Sequence, residues 1–170
     1  MAACGVCGID EDRLSVRDAL DALRTFPGRF RRSVDGLSDA QLRTRPAPDV
    51  WSVLEYLVHT REVLDIIGMG LPLVLEQPGI AFPVIDVDES AATRPDWVMD
   101  RDLALTGIDH AVAVLLSTAD GVTDEAWTRP FTIGTETHDA GWNIRHAAHE
   151  GVHHLRDIER VRALVAPADD

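Results

Sequence analysis

Apolar residues recur at helical spacing in four long segments of this 170-residue sequence. A spacing of three and four residues places side chains on one face, so each segment predicts an amphipathic helix with one buried side. A long connection without helical period separates the second segment from the third. The pattern predicts an all-α protein, a four-helix bundle with a long crossover between helices 2 and 3. Such a crossover lets helices that are not consecutive become neighbours.

Capping residues and prolines set the expected bounds of the elements. The first helix should kink or break at its internal proline, because proline removes a backbone donor. The second begins with a full capping box, in which a serine and a glutamate cap each other's backbone. We expect the first helix from Ser15 to near Gly36, with Pro27 inside, and the second from the capping box Ser52–Glu55 to Leu71 or, bent at Pro72, to Leu75. A crossover loop should follow over residues 77–95, and the third helix should run from Asp96 or Trp97 to just before Gly121. A loop or short irregular hairpin over residues 122–141 should then lead into the fourth helix, from Trp142 to Arg162.

Length and charge limit the class of protein. The 170 residues suit a single domain spanning residues 1–170, with residues 1–14 as an N-terminal arm. A net charge of -13 repels phosphate backbones and anionic lipid, so neither nucleic acid nor a membrane is an expected partner. No segment reaches the ~20 apolar residues of a membrane span, and the N-terminus lacks the pattern of a signal peptide. We therefore expect a cytoplasmic location, where Cys4 and Cys7 would be thiols.

Histidines are concentrated in the fourth helix, which holds four of the seven in the chain. His149 and His153 are four residues apart, so both imidazoles lie on one face and could bind one cation. The same pattern also occurs in histidines that only form hydrogen bonds. Cys4 and Cys7 form a C-x-x-C motif that could be redox-active, could supply two zinc ligands together with His110 or His138, or could simply pack in the arm.

His59 lies inside the second predicted helix, among its apolar residues. In helix bundles, metal sites are formed in the core by side chains from facing helices, which gives a reason for His59 to meet His149 and His153. Three histidines on one metal leave at least one coordination position open. An open position is typical of a catalytic site.

Two stretches resemble the DinB-like family. They are Trp51-Ser-Val-Leu-Glu-Tyr-Leu-Val-His59 and His149-Glu-Gly-Val-His153-His154. This superfamily includes the bacillithiol transferases and the metal-binding domain of mycothiol-dependent maleylpyruvate isomerase. The resemblance implies a divalent metal, zinc or nickel, bound by His59, His149 and His153. It also implies a thiol-dependent S-transferase that joins a low-molecular-weight thiol such as mycothiol to a small electrophile.

Two other functions remain open from the sequence. The string His149-Glu150-Gly151-Val152-His153 satisfies H-E-x-x-H, in which the glutamate of a zinc hydrolase acts as general base. Against a protease, the sequence offers no convincing strand to hold a peptide. Alternatively, the metal only ties helices together in a non-catalytic or stress-related binding module. A homodimer is compatible with either function, although no exposed apolar stripe requires one.

The sequence also predicts the surroundings of three further polar residues. His146 is either a hydrogen-bonded neighbour of the metal ligands or a solvated residue. His154 points about 100° away from His153, so it should pair with a carboxylate elsewhere rather than bind the same ion. Glu55 could orient His59, but its capping role already accounts for it.

Overall fold

The structure is a computed structural model, and it describes residues 3–85, 94–95 and 98–166. Within these ranges the chain forms a bundle of four long helices, as the sequence predicts, joined by short helices and a small sheet. The helices are α1 (Val16–Val34), α2 (Asp39–Arg43), α3 (Val53–Glu76), α4 (Arg101–Ala119), α5 (Asp124–Trp127) and α6 (Ala140–Val165). The strands are β1 (Ala81–Phe82), β2 (Pro130–Ile133) and β3 (Glu136–Asp139).

The helix starts follow the predicted caps. The Ser52 hydroxyl accepts the Glu55 amide, and the Glu55 carboxylate accepts the Ser52 amide at 2.8 Å, which completes the capping box. A kink or a break was predicted at Pro27, and the break is wrong because α1 continues through this residue. The third long helix starts later than predicted, at Arg101, because Asp100 caps it by accepting the Leu103 amide at 2.8 Å. The predicted start at residues 96–97 lies outside the described residues.

The four long helices pack in a ring in which the first helix lies opposite the second, and the third opposite the fourth. Helices α1 and α3 each pack against both α4 and α6. Apolar residues from all four helices fill the centre, and the largest fully buried ones include Phe26, Phe30, Leu64, Ile108 and Ile144. This arrangement places α3 directly against α6, so His59 faces the histidine-rich helix.

A small three-stranded sheet lies beside the bundle. Strands β2 and β3 pair antiparallel, which confirms the short hairpin that was one of the two predictions for residues 122–141, whereas β1 and its parallel pairing with β2 were not predicted. The side chain of Phe131 on β2 is buried against Val74 and Ala140. Asp139, at the end of β3, caps α6 by accepting the Trp142 amide at 2.7 Å. The sheet therefore fixes where the histidine helix begins.

Helix α4 is long and apolar enough to cross a membrane by length and composition alone. In the bundle, six of its residues are buried, and it packs against α1 and α3. An ion pair between Arg31 and Asp109, with Nη1 and Oδ1 2.6 Å apart, joins α4 to α1 at the surface. These contacts place one face of α4 in the interior of the bundle.

Candidate metal centre

Two neighbouring groups of potential metal ligands lie along α6 in the described part of the chain. The core cluster consists of His59 from α3 with Glu150 and His154 from α6. The arm cluster consists of Cys4 and Cys7 from the N-terminal arm with His149 and His153 from α6. Within each cluster, the ligand atoms all lie within 4.8 Å of one another. Two further groups, Glu11-His146-His149 and His153-His154-Asp157, share residues with the arm and core clusters.

The core cluster is buried between α3 and α6. His59 and His154 are only 6% and 8% exposed, and their ring centroids lie 4.8 Å apart in an edge-to-face arrangement. The Glu150 Oε2 atom lies 3.3 Å from His154 Nε2. The ring of Trp51 packs edge-on against His59 with centroids 5.1 Å apart. Two imidazoles and a carboxylate would leave coordination positions of a bound cation open.

The charge states in the core cluster suit a cation. Burial, helped by the nearby charge of His154, lowers the pKa of His59 to about 4, so its imidazole is neutral at neutral pH. Burial alone would raise the pKa of Glu150, but its hydrogen bond to His154 and the surrounding histidines hold that pKa at about 2. His59 and Glu150 are therefore in the forms that bind metal. Burial disfavours a charged His154, but its contacts with Asp157 and Glu150 outweigh burial and raise its pKa, so this ring would release a proton when a metal binds.

His154 has an unused nitrogen inside this cluster. Its Nδ1 lies 3.1 Å from Asp157 Oδ2, so this nitrogen carries the proton when the ring is neutral. Its Nε2 is buried and forms no well-aligned hydrogen bond, although Glu150 Oε2 lies 3.3 Å from it. A buried polar atom without a partner is costly, and a cation between His59, Glu150 and His154 would satisfy it. The residues of the core cluster thus fit a divalent metal.

In the arm cluster, thiols meet imidazoles. The Cys4 Sγ atom lies 3.2 Å from His153 Nδ1, and the rings of His149 and His153 have centroids 5.8 Å apart. The Cys7 amide and the His149 side chain lower the pKa of Cys4 to about 5. Burial disfavours a charged His149, but contacts with Cys4 and Glu11 outweigh it and raise its pKa. The histidines beside the C-x-x-C motif are therefore those of α6, rather than His110 or His138.

The predicted ligands are divided between the two clusters. The structure brings His149 and His153 together in the arm cluster and places His59 in the core cluster with Glu150 and His154. As ligands of one ion, His59, His149 and His153 stay a prediction. Sequence reasoning did not include Glu150 and His154 in the ligand set, although Glu150-x-x-x-His154 repeats the four-residue spacing of His149 and His153.

The remaining expectations for polar residues have clear outcomes. His146 is hydrogen-bonded, with Nδ1 3.0 Å from Glu11 Oε1, and it stacks on Trp142. His154 does pair with carboxylates, Asp157 and Glu150, but both belong to its own helix. The turn of about 100° from His153 points His154 toward His59.

A cavity of about 400 Å³ opens beside the two clusters. It has both apolar and charged walls, and its lining residues include Val6, Trp51, Tyr56, His153, His154 and Arg160. A larger cavity of about 610 Å³, lined by Arg43, Arg45, Ser52, Glu55 and Met99, contains no residue of either cluster. Because His154 of the core cluster and His153 of the arm cluster line the smaller cavity, a small molecule in it could reach candidate ligands of both clusters.

Comparison with known proteins places this chain in a family. The structure is similar to YfiT from Bacillus subtilis, described as a probable metal-dependent hydrolase with an unusual four-helix bundle topology. The two share 17% identity and a TM-score of 0.78, over 91% of this chain and 88% of YfiT. A conserved protein from Enterococcus faecalis has a TM-score of 0.66 at 18% identity, over 88% of this chain and 95% of that one.

The mycothiol-dependent maleylpyruvate isomerase has a TM-score of 0.60 at 15% identity, over 88% of this chain and 63% of that enzyme. At sequence identities this low, the three structural similarities show a shared fold and nothing more. No curated protein sequence matches the chain significantly. The family model of the DinB superfamily matches residues 22–158. Because the match covers most of the sequence, this chain belongs to the DinB superfamily.

Proposed function

We propose that this protein is a divalent-metal-dependent S-transferase, which joins a low-molecular-weight thiol such as mycothiol to a small electrophile. The observation that carries the proposal is the core cluster, an open set of three potential ligands beside a cavity of about 400 Å³. A closed structural site would use all four positions of a tetrahedral ion, whereas three protein ligands leave room for a reactant.

We assign the ligands of this metal, zinc or nickel, to His59, Glu150 and His154. The set shares His59 with the ligands predicted from the sequence. It replaces the other two because the donor atoms of His149 and His153 lie within 4.8 Å of the thiols of Cys4 and Cys7. When bound, such a metal would supply Lewis acidity that keeps a thiol in its thiolate form near neutral pH.

The surrounding residues have their own roles. Asp157 holds the His154 ring through Nδ1, so the other nitrogen remains aimed at the core cluster. Trp51 packs on His59 and supplies an apolar wall that limits the access of water. Arg160 lines the same cavity and would attract an anionic group on the thiol or the electrophile.

The thiol in this proposal is supported by the similarity to the mycothiol-dependent maleylpyruvate isomerase. This chain spans 63% of that enzyme, so the complete isomerase reaction is not part of the proposal. Hydrolysis is the second candidate, because YfiT is described as a probable metal-dependent hydrolase. Two histidines and a glutamate are also a known ligand set of hydrolytic zinc enzymes. In the H-E-x-x-H string, Glu150 lies in the core cluster while His149 and His153 lie in the arm cluster.

Turnover assays with defined variants test the proposal. Metal-loaded protein is mixed with mycothiol and a chromogenic alkyl or aryl halide, and thioether formation is followed with and without the thiol. We expect Glu150→Gln and His154→Ala to lower thiol-dependent turnover at least 100-fold. His110→Ala, on the exposed side of α4, is the matched control and should keep full activity. Ester hydrolysis without any thiol would favour the second candidate, and metal binding without either reaction would favour the non-catalytic module.

A further inference from the structure

The N-terminal arm folds its two cysteines to the same side. The Gly8 amide donates to the Cys4 carbonyl at 2.8 Å, and the Cys4 amide donates to the Ile9 carbonyl at 2.8 Å. Gly8 has a φ of 77°, a left-handed conformation that glycine adopts at little cost. The backbone amides of Cys7 and Val6 favour the thiolate form of Cys4, whereas burial raises the pKa of Cys7. The turn brings both sulfur atoms to the same pair of histidines.

Both imidazoles that face these thiols are held from behind by a carboxylate. His149 Nδ1 contacts the buried Glu11 Oε1, and the opposite nitrogen, Nε2, is buried without a hydrogen-bond partner. His153 Nε2 lies 3.3 Å from Asp157 Oδ2, which leaves its Nδ1 facing Cys4 Sγ. Metal-bound histidines characteristically contact a carboxylate through the nitrogen that does not bind the metal. Each ring therefore presents a metal-binding lone pair to the arm.

We propose that the arm cluster is a second metal site, a closed tetrahedral zinc site formed by Cys4, Cys7, His149 and His153. The four donor atoms lie within 4.8 Å of one another. Zinc bonds of about 2.3 Å to sulfur and 2.0 Å to nitrogen separate tetrahedral ligands by about 3.3 to 3.8 Å, so only a small contraction is needed. Two thiolates and two imidazoles are a typical set for structural zinc.

This site would fasten the arm to α6 and hold Val6 at the edge of the cavity. It does not depend on the function proposed for the core cluster, because the two ligand sets share no residue. The two sets are neighbours, because Asp157 Oδ2 lies beside both His153 and His154 and the rings of these two histidines have centroids 5.1 Å apart. With all four positions occupied by protein, the arm site has no place for a reactant.

Cobalt titration of the reduced full-length protein tests the site. Two thiolates on tetrahedral cobalt give an intense sulfur-to-metal charge-transfer band. We expect this band at one cobalt per chain in the wild type, in His110→Ala and in His154→Ala. It should be absent from the Cys4→Ser, Cys7→Ser double variant, whose bound metal should fall by one equivalent. A wild-type protein that binds cobalt without the band, or a double variant with undiminished metal content, would overturn the proposal.

The reactivity of the two thiols tests the site in the wild-type protein, so the result does not depend on whether a variant folds. With zinc bound, alkylation of Cys4 and Cys7 by iodoacetamide should slow at least tenfold compared with the chelated protein. Equal alkylation rates in both states would exclude the site. Glu11→Gln should keep the charge-transfer band but weaken the affinity of this site for zinc roughly 10- to 100-fold, because Glu11 only positions His149. An unchanged affinity for zinc in Glu11→Gln would contradict the proposed positioning of His149 by Glu11.

Discussion

Gly151 is the position where one methyl group should disturb both the packing and the metal centre. It lies on α6 between Glu150 and His153, and a Cβ atom there would lie 2.1 Å from Phe26 Cε2 and 2.4 Å from Phe26 Cζ. Ordinary carbon contacts are about 3.5 to 4.0 Å, so the ring would have to move by more than about 1 Å. Phe26 is fully buried and packs edge-to-face on Phe30 with centroids 5.7 Å apart, which leaves it little freedom.

The net effect of Gly151→Ala follows from two opposing contributions. Alanine is favoured over glycine inside a helix by about 1 kcal/mol. Overpacking a filled core costs about 1 to 3 kcal/mol, and an overlap with a fixed aromatic ring belongs at or above the upper end. We therefore expect a loss of about 2 kcal/mol in the free energy of unfolding. For a protein of this size, that lowers the melting temperature by roughly 4 to 8 °C.

Gly68→Ala is the matched control. Gly68 is also a buried glycine inside a long helix, but its added Cβ would lie 3.6 Å from Val114 Cγ1, an ordinary contact. This variant should gain about 1 kcal/mol and melt roughly 2 to 4 °C higher. Both variants are compared with the wild type by circular dichroism after complete metal removal. A Gly151→Ala protein that melts at or above the wild type would refute the reasoning, and adding Phe26→Leu should restore part of the loss.

Metal removal by a chelator should lower the melting temperature reversibly, since an ion at 100 times its Kd stabilises the native state by about 2.7 kcal/mol. His59→Ala should reduce this sensitivity, and an equal shift in that variant, measured by scanning calorimetry, would exclude His59 as a ligand. Burial opposes ionisation of Glu55, but its bonds to Arg45 and Ser52 lower its pKa below the usual value. The stability that ionised Glu55 contributes is therefore complete above a pH of about 4.3 and is lost as the pH falls further. Glu55→Gln should therefore lower the free energy of unfolding by about 1 kcal/mol at pH 7 and by progressively less in acid. Urea titrations at pH 7 and pH 3 measure this difference, and a cost that does not fall with pH would contradict it.

Local signals in the sequence were sufficient to predict the four long helices. Periodicity and caps such as Ser52 and Glu55 act within a few residues, so they predicted the four-helix bundle. The start of α4 was predicted a few residues too early, because the cap that fixes it, Asp100 accepting the Leu103 amide, was not identified from the sequence. Strand β1 was missed because it has only two residues and pairs with a strand about 50 residues away, which no local pattern records.

The sequence by itself also determined which residue types could bind a metal and that α6 would carry most of them. Only the tertiary structure decided how they are grouped. Each residue along a helix turns about 100°, so the neighbours His153 and His154 face different surroundings. Packing of α3 against α6 gives His154 a partner in His59, and the fold of the arm gives His153 a partner in Cys4. These partners lie far apart in the sequence, and their pairing depends on which helices share a face in the bundle.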